Sequence, residues 1–320
     1  MTIHEDKRMH RIAIAAGLLL AGALSPAAAQ VFTRTDVITY HDNQVQWVLA
    51  QPKSSTNVQM GVVEYSTDYD PATALPVATY AFGKLQQRMT YDPNNGTLAT
   101  VSDARDTPTF DTTITLSNWK RGIPQAIRFG DGTLKAAVVD EYGLIRSVTN
   151  EVGAQTCYDF DPMGRLAKIT YPSETTGLCD GNAATRAWTP TTQSFAQWAT
   201  AAYGLPAGHW RQTVATSTGL TRTFYDAMWR PVVEERYDSS DTGNTLTQVI
   251  KRYDANGRLA FQSYPMRGMT DYATVTTGTR TIYDALDRPV RIEQDWESAG
   301  VIATTHDYVG GFRTLTTNPR

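Results

Sequence analysis

The sequence predicts an all-β protein, an antiparallel meander of short hairpins. Three observations carry this. Threonine is over-used, at 46 of 320 residues, and tyrosine adds 16; both suit a pleated, half-buried surface better than a helix. Glycine (23) and proline (15) supply many tight turns. Turn glycines also recur at ten- or eleven-residue intervals, at Gly122, Gly132, Gly143, Gly153 and Gly164. Strands of six to eight residues with a turn at each end form such a meander. Charged residues are only 19% of the chain and the net charge is -3. That balance argues against a nucleic-acid binder, which needs a basic face, and against a disordered chain.

The first 29 residues read as a secretory signal peptide. Lys7, Arg8 and Arg11 precede the apolar run Ile12–Leu24, and Ala27-Ala28-Ala29 offers a cleavage site before Gln30. The run is too short to span a bilayer, which takes about 20 residues. No later segment is apolar enough to span. The expected mature chain carries 26 basic and 30 acidic residues, net -4. Export leads to an oxidising compartment, where Cys157 and Cys179 are expected to pair; two free thiols are the other reading. Their spacing fits neither a CxxC redox site nor a zinc site. The expected location is periplasmic, cell-surface or secreted.

Residues 30–116 contain strand-like runs, such as Val45–Leu49 and Gln59–Tyr65, with few clear repeats. They read as an N-terminal β cap or as earlier, eroded repeats. Repeats are clear over 117–177 and 219–320. Tyr253-Asp-Ala-Asn-Gly-Arg-Leu259 stands beside Tyr225-Asp-Ala-Met-Trp-Arg-Pro231 and Tyr283-Asp-Ala-Leu-Asp-Arg-Pro289. Phe160-Asp-Pro-Met-Gly-Arg-Leu166 has the same form. Val139-Asp-Glu-Tyr-Gly-Leu-Ile145 and His306-Asp-Tyr-Val-Gly310 are weaker copies, and Tyr91-Asp-Pro-Asn-Asn-Gly-Thr-Leu98 carries one extra turn residue.

Each copy reads as a hairpin. The aspartates (Asp92, Asp140, Asp161, Asp226, Asp254, Asp284, Asp307) accept hydrogen bonds from backbone N–H groups two or three residues on. The glycines (Gly96, Gly143, Gly164, Gly257, Gly310) take the left-handed conformation of a type I turn with a G1 bulge. Trp229 and Asp287 replace that glycine. Tryptophan tolerates positive φ poorly, so a different turn geometry is expected at Trp229. The arginines (Arg165, Arg230, Arg258, Arg288) open the returning strand. They form either a ladder pairing with carboxylates or a set of solvated strand residues.

With these copies in hand, the chain resembles the YD-repeat, or Rhs-repeat, family of exported bacterial proteins. The resemblance spans about 117–172 and 219–313, roughly half of the expected mature chain. It implies a continuous β-sheet that spirals into a hollow shell, which in that family commonly encloses a C-terminal toxic domain. No family-type closing region with self-cleavage residues and no toxin domain is recognisable before Arg320. The resemblance therefore implies shell material, not a complete delivery machine, with a C-terminal or separate polypeptide as cargo.

Residues 178–218 depart from the repeat and read as an aromatic-rich insertion. Ser194–Tyr203 is expected as a short helix stopped by Gly204 and Pro206. Trp188, Trp198, Tyr203 and Trp210 form either a ligand surface for cell-surface glycan or protein, or a small core covering the sheet.

No catalytic or cofactor motif stands out. The sequence lacks G-x-S-x-G, H-E-x-x-H and Walker patterns. After leader removal only His41, His209 and His306 remain. Asp159 and Asp161 lack the oxygen-rich loop a calcium site needs. The expectation is a protein with no enzymatic role, no cofactor and no metal: a scaffold, with a glycan- or protein-binding surface module as the alternative.

Overall fold

A computed structural model describes residues 34–107, 111–296, 300–310 and 313–319. The leader, residues 1–29, lies outside the described residues. The chain divides into two compact units, Met1–Ala154 and Gln155–Arg320.

The described residues of the first unit form a run of ten strands: β1 (Asp36–Asn43), β2 (Val48–Asn57), β3 (Val62–Tyr69), β4 (Pro76–Ala81), β5 (Lys84–Tyr91), β6 (Leu98–Asp103), β7 (Ile114–Lys120), β8 (Ile123–Arg128), β9 (Leu134–Val139) and β10 (Ile145–Thr149). Each pairs antiparallel with its sequence neighbour. Among its described residues only Ala74, Ala78 and Val139 are fully buried apolar side chains. The strands are mostly half-buried, so backbone ladders and turn networks hold this unit more than a core does.

The second unit is also all-β, with twelve strands among its described residues. These are β11 (Gln155–Phe160), β12 (Leu166–Thr170), β13 (Thr191–Gln197), β14 (Trp210–Thr216), β15 (Gly219–Tyr225), β16 (Pro231–Asp238), β17 (Thr247–Tyr253), β18 (Leu259–Ser263), β19 (Gly278–Tyr283), β20 (Pro289–Trp296), β21 (Gly300–Val309) and β22 (Arg313–Thr317). Sequence neighbours again pair antiparallel. Among the described residues helix is confined to one four-residue turn, α1 (Thr242–Thr245), and two 3-10 turns. No helix among the described residues is long and apolar enough to cross a membrane.

The short helix expected over 194–203 is absent. β13 occupies Thr191–Gln197 and pairs in full with β14, from Thr191↔Thr216 to Gln197↔Trp210. The Trp198 N–H extends that ladder to the His209 carbonyl. The Phe195–Trp198–Ala202 spacing mimics a helical stripe. The local sequence Thr-Thr-Gln-Ser nevertheless favours a strand, and a pre-formed partner strand decides the matter. Residues 178–218 thus contribute two strands to the sheet.

The largest apolar core lies over β15–β17. Leu205, Phe224, Val232, Val233, Ile250 and Met269 form it. Two loops, 198–209 and 264–277, fold over that face and are joined by the Tyr272 N–H donating to the Tyr203 carbonyl at 3.0 Å. β17 allows this because its pairing changes along its length. Thr247–Ile250 pair with β16, whereas Lys251–Tyr253 pair with β18.

Candidate functional site

The repeated turn is the most regular chemistry in the chain. In Phe160–Leu166, Asp161 Oδ1 accepts from the backbone N–H of Met163 and of Arg165, both at 2.9 Å. Its Oδ2 accepts from Arg165 Nε at 2.7 Å. Asp226 repeats this with Met228, Arg230 and the Arg230 side chain. Asp254 does so with Asn256 and Arg258, and Asp284 with Leu286 and Arg288. The carboxylate therefore bonds backbone groups two and four residues on and pairs with its own arginine, so both oxygens are occupied.

Asp140 follows the rule with one change. Its Oδ1 accepts from Tyr142 and Leu144, and Oδ2 accepts from Arg146 Nε at 2.7 Å. Leu144 stands where arginine stands in the other copies. Arg146, two residues further along the same strand face, supplies the charge. In the longer loops, Asp70 Oδ1 accepts from Ala72 and Thr73, and Asp92 Oδ1 from Asn94. Gly96 has φ +71° in the longer loop, while Gly143, Gly164 and Gly257 have φ +85°, +76° and +81°.

The bonds hold the carboxyls of Asp140, Asp161, Asp226, Asp254 and Asp284 below their ordinary range. The Arg165 N–H is the main cause at Asp161, and the Arg288 N–H at Asp284. Burial works to raise Asp226 and Asp254, but their arginine N–H groups and side chains outweigh it. A lowered folded-state pKa stabilises the fold above the unfolded Asp range, near 3.9, and is lost as pH falls through the folded values. Acid should therefore weaken the chain below about pH 4. Asp226→Ala should cost about 2 kcal/mol at neutral pH and remove part of that acid dependence, as read by urea unfolding.

The tyrosine that opens a repeat reaches back to the previous one. Tyr253 Oη donates to the Pro231 carbonyl at 2.9 Å, and its ring lies under the Arg230 guanidinium. Tyr283 does the same to Leu259 and Arg258, and Tyr308 to Pro289 and Arg288. Tyr69 and Tyr91 donate to the Pro52 and Pro76 carbonyls. Trp119 Nε1 donates to Leu98 in the same way, a residue that sequence reasoning missed because the position lacks tyrosine. Aspartate thus fixes its arginine, and the arginine is covered by the next aromatic residue. The register shifts just before Tyr69, Tyr91, Phe160, Tyr225, Tyr253 and Tyr283 place those aromatics at the hairpin ends.

Two expectations need correction. Trp229 adopts the same turn as the glycine copies, with φ +63° and an Asp226 N–H to Arg230 carbonyl bond of 3.0 Å. The strain of that conformation is offset by stacking. The Trp229 ring lies 5.0 Å from Trp210 and 5.5 Å from Phe195, near parallel to both. Asp287, at φ +61°, also keeps the turn and binds Arg258 Nη1 at 2.7 Å. By contrast, Asp307 is not a turn residue. It lies inside β21 opposite Leu315, one position before the tyrosine that caps Arg288, and Gly310 lies just past the strand end. With the aromatic at 308 in place of 306, Asp307 is a strand residue paired across to β22.

The four residues read as a ligand surface, Trp188, Trp198, Tyr203 and Trp210, do not form one cluster. Trp188 is 60% exposed and lines an open groove of about 440 Å³ with Tyr171, Pro172 and Thr216. Trp198 lies against Arg211. Trp210 belongs to the stack with Phe195 and Trp229. Tyr203 packs edge-on against Phe224 and donates to buried Glu235; burial, then Glu235, pushes its phenol up to about 12. Cys157 on β11 and Cys179 in the following loop are disulfide-bonded, Cα atoms 5.8 Å apart. Among the described residues no group of three or more His, Cys, Asp or Glu side chains is placed to hold a metal.

No family model and no curated protein sequence matches the chain. Its fold is similar to solved structures of TcdB2-TccC3. A crystal structure of TcdB2-TccC3 superposes with a TM-score of 0.53 at 14% identity, over 90% of this chain and 17% of that one. TcdB2-TccC3-Cdc42 gives 0.53 and 14% over 88% of this chain and 16% of that chain. TcdB2-TccC3 without its hypervariable C-terminal region gives 0.53 and 14% over 89% and 17%. The chain spans about one sixth of the structures it resembles.

Proposed function

We propose that the chain is a non-enzymatic exported scaffold, part of an Rhs-type shell that encloses or presents another polypeptide. The observation that carries this reading is the structural investment of its repeated residues. Aspartate, arginine and tyrosine of the YD copies are spent on turns and on joining one repeat to the next, through bonds such as Tyr253 to Pro231 and Tyr283 to Leu259. Such residues build a wall: the carboxylates of the YD turns are already occupied by backbone N–H groups and by their own arginines. The similarity in fold to TcdB2-TccC3 supports the reading, since structures of that protein include one with Cdc42 and one lacking a hypervariable C-terminal region. The leader sequence and the disulfide support export. The partner proposed is a polypeptide, fused at the C-terminal side or separate. The aromatic-insertion module is not carried forward, because Trp188 lines an open groove, Trp210 is in a stack with Phe195 and Trp229, and Trp198 and Tyr203 are engaged with Arg211 and Glu235.

The test is the association state of the chain secreted with its own leader. A sheet with an open edge strand pairs or aggregates unless it is covered. Light scattering should report species larger than one chain, and hydrogen exchange should show fast amides on an edge strand of the lone chain. A monodisperse monomer with every strand amide protected would overturn the reading.

A further inference from the structure

The covered face of the second unit contains a polar cluster that the scaffold reading does not use. Register places it on one side of the sheet. Thr213 lies opposite Arg222, which lies opposite Glu235, which lies opposite Gln248. One rung along, Arg211 lies opposite Phe224. His209 is two residues before Arg211 and therefore shares its face; its ring packs on Phe224 at 5.6 Å.

Three atoms of this cluster are buried without a partner among the described residues: His209 Nε2, Thr213 Oγ1 and Arg222 Nε. His209 is only 7% exposed, and its Nδ1 is already engaged with the Pro206 carbonyl at 2.8 Å. Burying one polar atom without a bond is costly. Thr213 and Arg222 face each other on one rung, with Arg211 at the next position of that face, so the unpaired hydroxyl and Nε–H point to a common acceptor.

The charges give its sign. Arg211 and Arg222 face a single carboxylate, Glu235, which already accepts from Tyr203 and from Arg222 Nη1. Arg211 has no ion pair among the described residues and rests on the Trp198 ring. Burial, then the nearby Arg222, lowers the Arg211 pKa, as expected where positive charge is under-compensated. The unengaged groups are guanidinium N–H bonds, a hydroxyl and an imidazole nitrogen. The guanidinium N–H bonds and the hydroxyl can donate to an oxyanion; His209 donates from Nδ1 to the Pro206 carbonyl, which leaves Nε2 of the neutral ring an acceptor.

We propose that this face is an oxyanion site, in which Arg211, the Arg222 Nε–H and the Thr213 hydroxyl hold a carboxylate or phosphate group beneath the 198–209 loop. The site stands on its own geometry and does not require the scaffold reading. Glu235 stays outside the ligand's set and holds Arg222 and Tyr203 in place.

Thermal unfolding of the full chain tests it, with inorganic phosphate and acetate as probes and sodium chloride at matched ionic strength as control. Phosphate, acetate or both should raise the midpoint saturably where chloride does not. A response to acetate alone assigns a carboxylate ligand, and a response to phosphate alone assigns a phosphate. Arg211→Met should weaken binding by about tenfold or more, without touching the Arg222–Glu235 pair. Thr213→Val is a β-branched exchange suited to a strand and should keep the circular dichroism spectrum. It should weaken the anion by several-fold, whereas a hydroxyl with no ligand would leave the response unchanged. No response beyond chloride, or a response that survives both substitutions, overturns the site.

Discussion

Replacing Glu235 by alanine should lower the unfolding free energy of the chain by about 3 kcal/mol or more. Glu235 is 3% exposed in the middle of β16. It accepts from the Tyr203 hydroxyl and from Arg222 Nη1 at 3.2 Å. The net worth of the intact pair is small, because desolvation offsets attraction. Removing one member is different: the Arg222 charge remains on a covered face without its counter-charge, and the Tyr203 hydroxyl loses its acceptor. Arg222 retains 31% side-chain exposure, which places the cost at the lower end of the range for buried pairs. Urea unfolding followed by circular dichroism reads the change. Glu235→Gln, which keeps an acceptor for Tyr203, should cost less than alanine. An alanine variant as stable as the parent would show that this row carries no net charge interaction.

Removing the disulfide should cost about 3 kcal/mol, the chain-entropy value for a loop of this size. The bridge joins residues 22 apart and encloses the β11–β12 hairpin. It ties the loop after β12 to the middle of β11, beside the Ser173–Leu178 and Gln155–Gly177 backbone bonds. Reduction should loosen that loop before the sheet, because β12 keeps only a short ladder to β13. Cys157→Ser with Cys179→Ser should lower the urea midpoint and admit protease between residues 172 and 190. Equal midpoints with and without reductant would show that local bonds already hold the loop.

Much of the fold was legible because the turn code is local. Asp, Gly and Arg act within five residues of one another, so Asp161, Gly164 and Arg165 announce a hairpin without reference to the rest of the chain. The tyrosines were legible as a pattern but not as contacts. Tyr253 meets Arg230 and Pro231 only because antiparallel register brings residues 22 apart together. Trp229 was misjudged for a related reason. Its intrinsic dislike of positive φ is visible in the sequence, whereas the offsetting stack comes from Phe195 and Trp210 on two other strands. Asp307 failed in the opposite sense, since a local motif lost its turn when the aromatic moved two positions.

By itself the sequence determined an all-β meander, the places where most of its corners fall and the residues that close them, because each corner is built from bonds spanning a few peptide units. Tertiary structure alone decided that β13 is a strand, that Tyr203 and Leu205 cover a face, and that His209, Thr213 and Arg222 share it. Those outcomes depend on which strand lies beside which. Side-chain alternation along one strand cannot reveal a neighbour 10 to 30 residues away, and burial and charge balance are properties of that neighbourhood.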